Sequence, residues 1–251
     1  MLETVQHGEV WELRMNRPPV NALGTELVAR LLEAVRAAPG QGAQALILSS
    51  ARPRIFSAGL DVPSLLKFER AELTAFLAEF FTLTETLGRS PIPVIAAISG
   101  HSPAGGAVLS ICCDYRVMAE GDFRIGVNEV EVGLMVPTHI HHALVRLVGA
   151  GAAERLVTEG KMIGAAEALR LGLVNELAPP EEVVPRALAQ AQRMLALPRQ
   201  AMLSMRAVAR ADLHAAFAQA QLDTRSVGDF FYREEAQKTL HALVAKLTAK
   251  K

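Results

Sequence analysis

Three short segments hold the residue types that carbonyl chemistry requires. Phe56-Ser57-Ala58-Gly59-Leu60-Asp61 and Ser99-Gly100-His101-Ser102-Pro103-Ala104-Gly105-Gly106-Ala107-Val108 each place glycine where a strand-like run passes into a turn. Glycine there lets the backbone approach another group closely. Two such turns can aim two backbone N–H groups at one oxygen, which makes an oxyanion hole. The third segment, Gly126-Val127-Asn128-Glu129-Val130-Glu131-Val132-Gly133, offers carboxylates for acid–base work. Two amide donors and one carboxylate are the equipment for moving a proton beside an activated carbonyl such as a thioester. The alternation with Val130 and Val132 reads as a strand with Glu129 and Glu131 on one face. Burial in an apolar pocket raises a carboxyl pKa towards a useful range.

The elements that must position these segments follow from hydrophobic spacing. Val10–Met15 reads as a half-buried strand ended by Asn16-Arg17-Pro18-Pro19, and Thr25–Ala37 has helical spacing through Leu27, Leu31, Leu32 and Val35. Buried strands are predicted at 45–48 and Val94–Ile98, further strands at 114–118 and 123–127, and helices at 71–87 and 104–112. Strand and helix in alternation argue for a stacked α/β core. Beyond about Pro137 the pattern turns helical, at 140–148, 152–158, Ala165–Leu171, 182–195 and in three later stretches. The expected organisation is a core over 1–195 that carries the site, and a C-terminal helical region over 196–251. Apolar stripes in that region (Leu213, Phe217, Leu240, Leu243, Leu247) are expected to be buried partly against a neighbouring subunit.

Composition narrows the function classes. At 251 residues the chain can bury a sizeable core, and it is 51% hydrophobic and 21% charged. A formal net charge of zero gives no electrostatic footprint for nucleic acid or a membrane surface. It also leaves little self-repulsion to oppose oligomerisation. Cys112 and Cys113 are adjacent, match no metal spacing, and read as small core residues in a reducing compartment. The first residues have neither a basic nor an apolar leader pattern, and no run reaches the roughly 18 apolar residues of a membrane span. The expected compartment is the cytoplasm.

With these segments placed, the chain resembles the crotonase (enoyl-CoA hydratase/isomerase) superfamily, and within it the mitochondrial-type Δ3,Δ2-enoyl-CoA isomerases. The likeness runs from Asn16-Arg17-Pro18-Pro19-Val20-Asn21-Ala22-Leu23, through the Ser57 to Asp61 turn and Pro103-Ala104-Gly105-Gly106, to Cys113-Asp114-Tyr115-Arg116 and Asn128-Glu129. It continues in Ala168-Leu169-Arg170-Leu171-Gly172-Leu173-Val174-Asn175 and Glu235-Ala236-Gln237-Lys238-Thr239-Leu240. The resemblance implies an α/β fold built as a crotonase-like spiral of stacked ββα units, with a C-terminal all-helical trimerisation region. It implies a homo-trimer or a dimer of trimers. It places the oxyanion N–H groups on Leu60 and Gly105 and the catalytic glutamate on Glu129. Around these, Ala58, Gly59, Asp61, Val62, Gly106, Val108 and Asn128 would border the acyl-CoA. Hydratases carry a second glutamate two positions after the Gly-Gly pair, where this chain has Val108. The implied reaction is double-bond migration in an enoyl-CoA, with no cofactor beyond the coenzyme A of the substrate and no metal.

Other readings keep the enolate and change its fate: a hydratase recruiting Glu131 or His101, a decarboxylase or a thioesterase. A non-catalytic acyl-CoA-binding protein is the reading from another class, and Glu129 beside two intact turns argues against it. His139 and His142 stand at metal-compatible spacing but lack a third ligand, so with His141 they are expected to line a pocket wall or an interface. Phe76, Phe80 and Phe81 form a helical stripe that suits core or an acyl tunnel. Lys246, Lys250 and Lys251 suit a solvated helix end or a coenzyme A phosphate.

Overall fold

Six strands form the larger sheet of the computed structural model, which describes residues 1–218 and 220–249. In chain order the strands of the protein are β1 (Leu2–His7), β2 (Val10–Met15), β3 (Ala45–Ser50), β4 (Arg54–Ile55), β5 (Val94–Ile98), β6 (Gly100–Pro103), β7 (Tyr115–Ala119), β8 (Arg124–Gly126), β9 (Ile163–Gly164) and β10 (Glu176–Ala178). The larger sheet has the order β1-β2-β3-β5-β7-β10 and the smaller one the order β4-β6-β8-β9. β1 and β2 form an antiparallel hairpin, and from β2 onward the larger sheet is parallel. In the smaller sheet β4, β6 and β8 run parallel, with β9 antiparallel to β8.

The chain alternates between the sheets: β3 then β4, β5 then β6, β7 then β8. Helical segments follow each pair: Val62–Leu65 and Arg70–Gly88 after β4, Gly105–Ile111 after β6, Thr138–Val148 after β8. Repeated strand–strand–helix turns stack into a spiral, as expected. β3 and β5 are buried almost throughout, which suits parallel strands covered on both faces. Helix Thr25–Ala37 buries Leu27, Val28, Leu31, Leu32 and Val35, and Arg70–Gly88 buries Leu73, Phe76, Leu77, Phe80 and Phe81. The phenylalanine stripe is therefore core. A Glu69/Glu72 capping box starts the longer helix, satisfying two otherwise orphaned N–H groups.

Two expectations need correction. The segment after β8 is a single 3-10 turn, Glu129–Val132, closed by Gly133 in the left-handed region at φ 73°. Residues i and i+2 of such a turn diverge, so Glu129 and Glu131 do not share a face. In the C-terminal region, Leu213, Phe217 and Leu240 are at most 2% exposed within their own chain. Phe217 lies over Gly88 and beside the His139 ring, whose other neighbour is Phe81. Of that stripe Leu247 stays exposed. Apolar surface is also left free on helix Arg199–Ala209, where Met205 and Val208 are exposed and no residue is buried.

Because Phe217 fills its own chain's core, Phe217→Ala is expected to cost about 3–5 kcal/mol. Urea denaturation monitored by far-UV circular dichroism measures it. A loss under about 1 kcal/mol would mean a site that collapses or lies at the surface.

Candidate active site

Parallel pairing of β4, β6 and β8 makes the chain leave all three strands on the same side. Arg54 and Ile55 register with Gly100 and His101, and Ser102 and Pro103 with Ile125 and Gly126. The segments that follow them (57–61, 104–106 and 127–129) are thereby brought side by side. A Cβ on Gly59 would lie 3.2 Å from the Gly105 nitrogen, and one on Gly105 would lie 3.4 Å from the Leu60 nitrogen. Substitution at Gly59, with φ at 83°, is strained besides being crowded. The third segment joins through the Ala104 N–H, which donates to the Gly126 carbonyl at 2.8 Å.

Two amides in this junction are left for a ligand. The Ala58 N–H donates to Val20, Leu23 donates to the Gly59 carbonyl, and Asp61 donates to the Leu23 carbonyl. Gly59 donates to the Ser57 hydroxyl. Among the described residues the Leu60 N–H has no such partner. Gly105 opens its helix, so its N–H has no carbonyl one turn earlier within the helix. The Leu60 and Gly105 amides thus stand as neighbouring free donors, the arrangement an oxyanion needs.

The carboxylate is Glu129. Its Oε2 is buried without a hydrogen-bond partner among the described residues. Burial pushes its pKa up to about 7, opposed only by its own backbone N–H. Glu131 is turned outward and accepts from Asn128 Nδ2 at 2.7 Å, while Asn128 Oδ1 points into the buried space. Val108 is 2% exposed on the helix that Gly105 begins. A carboxyl whose pKa is raised to about 7 can take and return a proton next to a carbonyl held by two amide donors.

The match to known proteins covers nearly the whole chain. The family model described as enoyl-CoA hydratase/isomerase matches residues 6–250. The chain belongs to that family. It is 33% identical to the mitochondrial enoyl-CoA delta isomerase 1 of Rattus norvegicus over 244 residues, 95% of this chain and 84% of that protein. It is 35% identical to a crotonyl-CoA hydratase of Syntrophomonas wolfei over 188 residues, 73% of this chain and 71% of that one. The crystal structure of human mitochondrial delta3-delta2-enoyl-CoA isomerase superposes with a TM-score of 0.94 at 29% identity, covering 100% of this chain and 99% of that one. The fold is therefore the crotonase fold, and the protein is an enzyme of the enoyl-CoA isomerase/hydratase group.

The remaining expected site residues of this family member fall as follows. Ala58 and Val62 are half-buried on the turn, and Gly106 is so enclosed that a Cβ would meet the Ser57 carbonyl at 2.7 Å. The Asp61 carboxylate is held by Arg17 and by the Ser64 hydroxyl, and its backbone N–H and carbonyl are bonded to Leu23, Ser64 and Leu65. His101 lies in β6 with its ring against Phe123, and its Nδ1 accepts from the Arg124 N–H. His139 is enclosed by aromatic rings, whereas His142 pairs with Asp212, which also holds Arg146. The two rings thus meet different neighbours. Lys246 is exposed; Lys250 and Lys251 lie outside the described residues. The last helix, Glu234–Thr248, seats Ala236 on Gly133, and the Tyr232 hydroxyl donates to the Phe68 carbonyl. The C-terminal segment therefore braces both the turn carrying Glu129 and the loop beyond Leu60. Sequence reading assigned no role to Arg17, Asn21 or Ser57, although all three lie within its motifs.

A carboxyl whose pKa rises from 4.5 to about 7 on folding holds its proton in the native state after losing it in the unfolded one. Stability therefore falls as pH climbs through that interval. Glu129→Gln removes the effect, so its stability relative to the parent should rise by up to about 3 kcal/mol between pH 5 and pH 8. Denaturant titrations at both pH values measure this. A difference independent of pH would mean an unshifted carboxyl.

Proposed function

We propose that this enzyme is a Δ3,Δ2-enoyl-CoA isomerase, moving the C3–C4 double bond of an acyl-CoA to C2–C3. What supports the reading is the carboxyl of Glu129, whose Oε2 is buried without a hydrogen-bond partner among the described residues, on the segment that follows β8 as the two donor turns follow β4 and β6, with apolar Val108 where a hydratase has its second glutamate. The thioester oxygen sits between the N–H groups of Leu60 and Gly105, each worth about 3–4 kcal/mol in the transition state. Glu129 takes the C2 proton, and the C–H electron pair passes into a dienolate held by the two amides. Glu129 then returns the proton at C4 while the double bond settles at C2–C3. Nothing is added to the substrate or oxidised, so no cofactor is required, and coenzyme A enters as part of the substrate. The backbone of Ala58, Gly59, Asp61 and Val62 borders it, with Gly106 and Asn128 on the acyl side.

The same reading includes a homo-trimer or a dimer of trimers. In its support, helix Arg199–Ala209 exposes Met205 by 63% and Val208 by 69%, and Leu197 is exposed just before it. The helix is nevertheless held firmly, with Arg206 bonded to both carboxylate oxygens of Asp114 and to the Ser90 carbonyl. A fixed apolar face suits a subunit contact. Two adjacent free thiols, Cys112 and Cys113, suit a reducing compartment such as the cytoplasm.

Product analysis tests the chemistry. 3-Hexenoyl-CoA should become 2-hexenoyl-CoA, crotonyl-CoA should gain little water, and Glu129→Gln should slow isomerisation by about 10²–10⁴. Val108→Glu should introduce some hydration and weaken isomerisation, since two neighbouring carboxylates share one proton. Faster hydration of crotonyl-CoA than isomerisation of 3-hexenoyl-CoA by the parent overturns the reading. For assembly, Met205→Asp combined with Val208→Asp should shift the sedimenting species to monomer. A parent already monomeric at micromolar concentration removes the trimer.

A further inference from the structure

Arg17 lies outside the catalytic junction, yet its guanidinium connects to it through two peptide groups. Its NH1 donates to the Ala22 carbonyl at 2.7 Å. The N–H of the same peptide, on Leu23, donates to the Gly59 carbonyl at 2.8 Å. The N–H of that next peptide is the free donor of Leu60. Both peptides are trans, so each carbonyl and its N–H point in opposite directions. The groups form one head-to-tail chain of hydrogen bonds, from the guanidinium through peptide 22–23 to peptide 59–60, whose N–H is the free donor.

We propose that Arg17 is a positioning residue for the oxyanion hole, acting through this two-peptide relay to aim and polarise the Leu60 N–H. The inference rests on the oxyanion reading of Leu60 and Gly105. Hydrogen bonds arranged head to tail polarise one another, and a cation at the far end makes the terminal N–H a better donor to developing negative charge. Geometry matters equally: the plane of peptide 59–60 is set by what its carbonyl accepts. Were Leu23 to shift, the Leu60 N–H would turn away from the Gly105 nitrogen.

The surroundings hold the guanidinium in this role. Its NH2 donates to Asp61 Oδ2, which also accepts from the Ser64 hydroxyl at 2.9 Å. Asp61 thereby anchors one arm of the fork while the other stays on Ala22. The Arg17 backbone N–H donates to Asn21 Oδ1 at 2.8 Å, and Asn21 Nδ2 reaches the Ser50 hydroxyl and the Phe56 carbonyl. Asn21 is fully buried. The ion pair closes onto the residue next to Leu60, so the relay and the turn it serves are tied together at both ends. A planar two-armed fork is needed for this, and an ammonium serves one arm at a time.

Acetoacetyl-CoA reports on the donor pair directly, because its bound enolate absorbs in the near ultraviolet where the free ketone does not. Hexanoyl-CoA, which carries no acidic 1,3-dicarbonyl, serves as the ground-state ligand. In Arg17→Met the enolate fraction and kcat on 3-hexenoyl-CoA should each fall about tenfold or more, while the hexanoyl-CoA Kd stays within about threefold. Arg17→Lys should fall between the two. Unchanged enolate in Arg17→Met overturns the proposal, as does an equal loss of both ligands, which means a merely structural arginine. Should Arg17→Met fail to fold, Arg17→Lys decides alone, and parental behaviour there overturns the relay. A parent protein that shows no enolate band at all defeats the oxyanion reading itself, a separate result from failure of the relay.

Discussion

Three strands of two to four residues, β4, β6 and β8, pair in parallel, and the rest of the molecule is arranged around that pairing. Parallel neighbours cannot be joined by a tight hairpin, so each return must cross the fold through a longer connection. Here the connection is a helix and a strand of the larger sheet, which gives the spiral. The larger sheet, with its nearly continuous apolar strands, holds successive turns of the spiral at fixed spacing. The small sheet then delivers three exits to one place, where Gly59 and Gly105 touch. Two free amides meet there, and the segment carrying the carboxyl follows the third of these strands, because of how the layers stack.

The helices and central strands were legible in the sequence. Leu27, Leu31 and Val35 or Phe76, Phe80 and Leu87 mark faces wide enough to survive any local ambiguity, and residues 94–98 are uninterrupted apolar chain. Of the small sheet only β8 was legible, as the run 123–127. Gly100-His101-Ser102-Pro103 has no alternation and contains two poor strand formers, and its extended form is imposed by register with β4 and β8. The Glu129 segment misled for the opposite reason. Its Val/Glu alternation has the period of a strand, but Gly133 in the left-handed region closes a 3-10 turn, and the two glutamates part. The turn chemistry that selects Glu129 for burial was not visible in a list of residue types.

The candidate site was legible as motifs and not as a network. Leu60, Gly105 and Glu129 could be named because the groups they offer are simple: two amides and a carboxyl. Arg17 could not, since its contribution depends on which carbonyl it bonds and which peptide that carbonyl shares. Phe217 shows the same limit in packing. An apolar stripe at helical spacing says that a face is covered, and only the close approach to Gly88 shows that the cover is the same chain. The protein tolerates a costly group: a carboxyl whose Oε2 is buried without a hydrogen-bond partner among the described residues destabilises the fold it sits in, a common exchange of stability for reactivity.

The enclosure of Glu129 Oε2 bears on the history of a transferred hydrogen. A proton lifted onto an oxygen without a hydrogen-bond partner among the described residues has no side chain among them to hand it on towards bulk water. In the proposed chemistry its open destination is the other end of the dienolate. An isotope placed at C2 would then reappear at C4 of the same molecule more often than it is lost to solvent. Seen this way, the missing partner of one carboxylate oxygen acts as a memory, keeping together the atoms that entered together.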